Sequence, residues 1–177
     1  MKNKIRDYQI FSIIFMFVVG TLLQFTYEWS NGNVIVGIFS TINECVWEHL
    51  KLVYFPGIIT IIIGCFYLKK DICNFICAKT VGIISAMVFI VIFFYTYTGI
   101  LGFDIAIIDI ASYFIAVLIG EYISYRLMIS KSNCNNIVAI IILVVLFVCF
   151  VTFTFTPPKI NIFKDPLTNT YGINKNE

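Results

Sequence analysis

The sequence predicts an all-α integral membrane protein, a bundle of five transmembrane helices with an outer loop and a C-terminal tail capping one end. Three observations carry that reading. First, 60% of the 177 residues are hydrophobic and only 12% are charged, about half the charged share of a soluble domain; mean hydropathy is +0.94. Second, five separate runs reach the roughly 20 predominantly apolar residues that a membrane crossing needs. Third, Lys and Arg are divided unequally between alternate loops, as in multi-pass chains. The length suits one membrane domain over 1–177. A net charge of +2 is too small and too dispersed for a nucleic-acid partner, so the partner implied is the lipid bilayer.

Span one covers 8–28. Its apolar run from Tyr8 to Phe25 is too long for a signal-peptide core and lacks a small-x-small cleavage site, so it is expected to be retained as helix. The loop 29–41 opens with the turn-forming "SNGN" and continues as "VIVGIF". Six apolar residues cannot span, so this piece is expected to dip into the outer interface or lie under other helices. Span two, 50–68, contains Pro56, whose missing N–H should kink it. Span three, 80–99, finishes with "YTYTG"; span four, 105–126, begins beside Asp104 and carries Asp109 into its apolar region. Span five, 137–156, stops at "TPP". The tail 157–177 keeps Ile, Phe, Leu and Tyr around a "DP" turn, more apolar than a disordered tail, and is expected to fold back over the outer face.

Lys2, Lys4, Arg6, Lys69, Lys70, Lys79, Arg126 and Lys131 fall on one side of this arrangement, and Lys51, Lys159, Lys164 and Lys175 on the other. The bias places the N-terminus in the cytoplasm and the C-terminus outside; an even number of spans would spoil it. Trp29, Trp47 and tyrosines near span ends fit an interfacial aromatic belt. Of the cysteines only Cys45 then faces outward, while Cys73, Cys77 and Cys134 are cytoplasmic, so no structural disulfide is expected. Cys73 and Cys77 lack the second Cys/His pair that a zinc site requires.

Polar groups are costly in lipid, so their placement is informative. Gly20, Gln24 and Glu28 repeat every four residues at the outer end of span one. Tyr95, Tyr97, Asp104, Asp109, the threonines 152, 154 and 156, and the stretch "TINECVWEHL" (41–50) converge on the same outer half. The inner half holds mainly Glu121, which can pair with Arg126 or Lys79. Asp109 at its depth needs a partner, a water-filled cavity or a proton.

Each piece has a bland reading beside the functional one. Thr41 and Glu44 have the T-x-x-E spacing of a capping box. Glu48 can form a solvated pair with Lys51 one turn on. His49, the chain's single histidine, can be an interfacial side chain bonded to a backbone carbonyl. Glu44, Glu48 and Lys51 share one helical stripe, with Cys45 and His49 on another about 100° away. This is therefore not the two-histidine chelate of a zinc protease. A divalent metal, if one is bound, needs His49 and Asp109 as candidate ligands, with Asp104 and Glu28 as further carboxylates.

The segments "FTYEWS" (25–30), "NECVWEHLKL" (43–52), "FYTYTG" (94–99), "EYISYR" (121–126) and "DPLTNTYGI" (165–173) run through most of the chain. In combination they resemble an uncharacterised family, a domain of unknown function, of small multispanning membrane proteins from low-GC Gram-positive bacteria. The chain departs from that pattern at Cys45 and Asn169, where Ser and Gly are usual, which argues against the Cys45 thiol as an essential nucleophile. The resemblance implies a multi-pass protein of the bacterial cell membrane and supplies no activity.

Three functions remain open on the sequence. One is a membrane-embedded hydrolase or transferase acting on a lipid-linked substrate, with Glu48, His49 and Asp109 catalytic and Glu28, Glu44, Tyr95, Tyr97 and Asp104 lining its pocket. Another is a small transporter or solute-binding protein. The third is a non-catalytic membrane partner or chaperone subunit. Thr41, Pro56, Glu121 and Arg126 are read as structural. The site hypothesis requires Glu48, His49 and Asp109 to lie close together.

Overall fold

The computed structural model describes residues 2–68, 72–130 and 134–173. Lys69, Lys70, Lys131 and Lys175 of the loop count lie outside the described residues. The helices are α1 (Lys2–Trp29), α2 (Val34–Phe39), α3 (Val46–Tyr67), α4 (Phe75–Leu101), α5 (Ala106–Ser130) and α6 (Asn136–Phe155), followed by a 3-10 turn at Asn161–Phe163. All but α2 are long and apolar enough to cross a membrane. They overrun the predicted spans because helical hydrogen bonding propagates through flanking polar residues that an apolar window leaves out.

Helices α4 and α5 form the most extensive pair in the bundle. A Cβ at either Gly82 or Gly120 would stand 2.5 Å from the other's carbonyl oxygen, so the small residues let the two backbones touch. Helix α1 packs on α3 and α5, and α6 packs chiefly on α4. The polarity of the bundle is inverted relative to a soluble protein. Ile107, Ile137, Ile141 and Val144 are exposed, while Gln9, Ser12, Glu48, Lys51, Lys79 and Glu121 are buried. An apolar exterior around buried charges fits immersion in lipid.

The segment "VIVGIF" becomes the six-residue helix α2, capped by Asn33, whose Oδ1 accepts from Ile35 N at 2.9 Å. Its far end is satisfied by a side chain from another helix. Lys51 Nζ donates to Gly37 O at 2.9 Å and Ser40 O at 3.3 Å, and to Glu48 Oε2 at 2.8 Å. Glu48 Oε2 in turn accepts Ile42 N at 3.0 Å. The Glu48–Lys51 pair expected to be solvated is instead only 2% and 0% exposed, because α2 and the following loop fold over it.

That loop also replaces the expected capping box. Helix α3 begins at Val46 with Cys45 as N-cap, too late for Thr41 to cap it. Thr41 Oγ1 donates to Gln24 O at 3.1 Å, and Asn43 Oδ1 accepts Cys45 N at 3.1 Å. Buried Ser40 closes the last turn of α1, donating to Leu23 O and accepting from Thr26 Oγ1 and Tyr27 N.

The tail returns to the same end. Phe163 is 4% exposed and packs on Trp47 and Phe153 at ring separations of 4.9 and 5.2 Å. Asn43 Nδ2 donates to Gly172 O at 3.2 Å. Between these anchors Asp165 holds a turn, accepting Leu167 N at 2.9 Å and Thr168 Oγ1 at 2.8 Å. The threonines of α6 lie at this end, and two of them turn their hydroxyls to their own helix. Thr154 and Thr156 bond back to Phe150 O and Thr152 O within their own helix.

In the other half, Lys79 Nζ meets Glu121 Oε1 at 2.5 Å and Ser12 Oγ at 2.8 Å, and Gln9, with its amide oriented so that nitrogen faces the carboxylate, donates to Glu121 Oε2. Of the two cations proposed for Glu121, Lys79 is the partner; exposed Arg126 donates to Tyr122 Oη at 2.9 Å. Lys51 and Lys79 are thus buried pair members and not loop cations. Cys77 and Cys134 are joined as a disulfide, with Cα atoms 5.9 Å apart, where none was expected. The loop connections bring together the starts of α4 and α6, which sequence spacing did not reveal.

Helix α3 runs through Pro56 to Tyr67. Proline has no N–H, so it orphans the Leu52 carbonyl four residues earlier. Tyr113 Oη lies 3.5 Å from Leu52 O and donates to Met16 O at 2.5 Å. Gly20 makes room for it, since a Cβ there would fall 1.9 Å from Tyr113 Oη and 2.8 Å from Leu52 O. Gly20→Ala is therefore expected to cost about 1–3 kcal/mol through overpacking. Tyr113→Phe in the same chain should recover part of that loss, as read by denaturant unfolding in mild detergent. Strict additivity of the two would show that the Tyr113 contact is not the cause.

Candidate functional site

The C-terminal ends of α1 and α4 and the N-terminal ends of α3 and α5 meet under the tail. They enclose a cavity of about 300 Å3 at this mouth. Its polar lining includes Gln24, Glu44, His49, Asp104, Asp109 and Ser112, and its apolar lining includes Phe25, Leu52, Ile90, Phe94 and Ile110. Tyr113 forms part of the floor, and Leu167 of the tail reaches the rim.

His49 sits on the first turn of α3, where its Nδ1 is 3.2 Å from Cys45 O and its Nε2 3.3 Å from Glu44 Oε2. Both facing atoms are acceptors, so a doubly protonated imidazole satisfies both. The bland carbonyl contact and an ion pair coexist in one side chain. The hydrogen bond to His49 holds the Glu44 carboxyl below its ordinary value, against the opposing effect of burial. Beside it, burial pushes the Cys45 thiol up to about 12, with the Glu48 carboxylate adding to the rise. A thiol in that state is a poor nucleophile at neutral pH.

Asp109, on the first turn of α5, accepts Tyr97 Oη at 2.5 Å; Tyr97 Oη also receives Ile105 N at 3.4 Å. The partner that a carboxylate at this depth requires is thus a tyrosine from the end of α4. Ser112 Oγ is turned to Asp109 O at 2.8 Å.

The predicted residues therefore separate. His49 and Asp109 share the cavity with Glu44 and Asp104, and Tyr97 supports it from behind. Glu48 does not join them: one residue's rotation from His49 points it into the buried pair with Lys51. Glu28 lies a turn beyond Gln24 and is exposed, and Tyr95, 40% exposed, is not among the lining residues. His49 and Asp109 were the candidate metal ligands. Among the described residues no three His, Cys, Asp or Glu side chains are grouped to hold a metal ion, and the His49 nitrogens face Glu44 and Cys45. Sequence reasoning missed Tyr113 and Ser112. A tyrosine in mid-span is the available signal for the first, since its hydroxyl must find a buried acceptor.

The Glu44–His49 contact gives a pH signature with a definite sign. Glu44 has a lower pKa folded than unfolded. Its stabilisation is complete above the unfolded value and is lost as pH falls through the folded one. Glu44 is 44% exposed, so after solvent screening the contribution is at most about 1 kcal/mol. Glu44→Gln should lower stability at pH 7 by up to that amount and leave it nearly unchanged near pH 3, which flattens the melting-temperature profile between about pH 5 and 3. An unaltered acid limb would exclude the pair as a contributor.

No curated protein and no solved structure matches this sequence. The sequence does match a family of unknown function (DUF6512) over residues 1–173, and the chain belongs to that family.

Proposed function

We propose that this chain is a multi-pass protein of the bacterial cell membrane, N-terminus cytoplasmic and tail outward, whose mouth cavity binds a small amphiphile bearing a protonated amine. The observation that carries the reading is the cavity's charge. Glu44, Asp104 and Asp109 line it beside apolar walls; the His49 imidazolium offsets Glu44, and neither Lys nor Arg is among its described lining residues, so the balance is negative. An ammonium about 4 Å from one carboxylate gains roughly 4 kcal/mol at an effective dielectric near 20, and an anion loses as much. A lipid-linked phosphate is therefore a poor fit, and an amine with an alkyl or aryl body a good one. The orientation is supported by the Lys/Arg bias, which persists once buried Lys51 and Lys79 are set aside.

The Glu44–His49 pair favours a second reading, general acid–base catalysis on the bound molecule. Three features weigh against it. His49 has both nitrogens engaged, the Cys45 thiol is held protonated, and the Ser112 hydroxyl is committed to a backbone carbonyl.

Calorimetric titration of octylamine into the protein in zwitterionic nanodiscs tests the proposal, with octyl phosphate as control. Saturable octylamine binding is expected, weakened about tenfold or more by Asp109→Asn, with none for octyl phosphate. Equal binding of the phosphate, or no effect of Asp109→Asn, would overturn it.

A further inference from the structure

We propose that Cys77 and Cys134 form a thiol–disulfide exchange site, a reversible clasp between α4 and α6 whose co-reactant is a dithiol. The inference rests on the orientation in the preceding reading and not on the mouth cavity. The disulfide lies at the opposite end of the bundle from the tail, between the first turn of α4 and the residues just before α6. With the N-terminus cytoplasmic, that end faces a reducing compartment. Disulfides in such a compartment are transient and serve in catalysis or redox sensing, in contrast to the permanent cross-links of secreted proteins.

The local structure suits repeated opening and closing. Asn136 Oδ1 accepts Cys77 N at 3.0 Å, and Asn136 Nδ2 donates to Cys73 O at 2.5 Å. One amide thus ties the start of α6 to the start of α4 on both of its polar atoms, without using either sulfur. Asn135 caps α6 through Ile137 N at 2.8 Å, which fixes the helix end that carries Asn136. When the disulfide opens, these bonds keep Cys134 beside Cys77, so closure needs no search.

Accessibility defines the direction of attack. Cys77 is 8% exposed, whereas Cys134 is half-buried. A thiolate of the dithiol attacks Cys134 Sγ, the S–S bond breaks, and Cys77 leaves as thiolate at a helix N-terminus that favours negative charge. The second thiolate attacks the reductant's own sulfur in the mixed disulfide and releases Cys134. Two electrons pass to the cysteines, which take up two protons, and the dithiol leaves as a cyclic disulfide.

Differential alkylation in intact cells expressing the full chain tests this, with exposed Cys73 reporting which side the end faces. In unstressed cells Cys77 and Cys134 should both alkylate as free thiols. They should become protected after diamide treatment and free again after recovery, and Cys73 should react only with a membrane-permeant maleimide. A disulfide that persists in unstressed cells, or thiols that diamide never pairs, overturns the exchange site. Labelling of Cys73 by an impermeant maleimide overturns the orientation, which is read independently. In purified protein at a fixed glutathione ratio, Asn136→Ala should lower the oxidised-to-reduced ratio about tenfold; an unchanged ratio removes the positioning role of Asn136.

Discussion

Glu48→Ala is expected to cost about 3–5 kcal/mol of folding stability, the largest loss from any single truncation near the mouth. The reason lies in what the substitution strands. Lys51 is fully buried, and without Glu48 its ammonium keeps only the Gly37 and Ser40 carbonyls. Ile42 N loses its acceptor as well. Lys51→Ala should be comparably damaging, because it strands the carboxylate together with two backbone carbonyls at the end of α2. The double variant Glu48→Ala/Lys51→Ala should recover little, since it leaves all three backbone groups unpaired, Ile42 N, Gly37 O and Ser40 O, where the single variants strand one and two of them. Denaturant titration followed by far-UV circular dichroism in mild detergent would read all three. A double variant close to wild type would show that the pair does not hold the loop. His49→Ala, one residue away on the cavity face, should leave stability nearly unchanged and serves as the contrast.

The second large effect is expected at the other buried pair, with the opposite double-variant outcome. Glu121→Ala leaves Lys79 charged, 1% exposed, and held only by Ser12 and the face of the Tyr8 ring at 5.4 Å; a loss of about 3–5 kcal/mol follows. Here the partners are side chains: Ser12 and Gln9 can turn to each other or to their own helix, and no backbone group is left unpaired. Lys79→Met/Glu121→Leu should therefore come back to within about 1–2 kcal/mol of wild type, as apolar replacement of a buried pair often does. A cycle built from these variants gives the coupling directly. If the double variant falls as far as the single one, the cluster is doing something other than neutralising its own charge.

The two pairs differ in legibility for a physical reason. Glu121 interrupts an apolar run, so the cost of burying it announces a partner within the bundle, and Lys79, read as a loop cation, was one of two within reach. Glu48 and Lys51 stand at the edge of a span, where the same spacing describes a solvated surface pair. Only the fold of residues 34–45 over α3 takes them out of water. The helical arc separating Glu48 from His49 was readable, but which of the two stripes faces α5 was not. Because α3 begins only at Val46, Glu44 leaves the Glu48 stripe and comes to lie beside the histidine.

The sequence by itself determined the five membrane-length helices, the concentration of polar groups at one end, and the tail's capacity to pack. All three follow from local properties: apolar run length, the cost of polar atoms in lipid, and the tail's aromatic and aliphatic content. Tertiary structure alone decided that Tyr97 partners Asp109, that Tyr113 sits over the carbonyl orphaned by Pro56, that Lys51 caps α2, and that Cys77 meets Cys134. Each of these depends on the rotation and register of one helix against another. Those are set by the summed packing of many side chains, including the Gly82–Gly120 contact, and no single residue in the sequence records them.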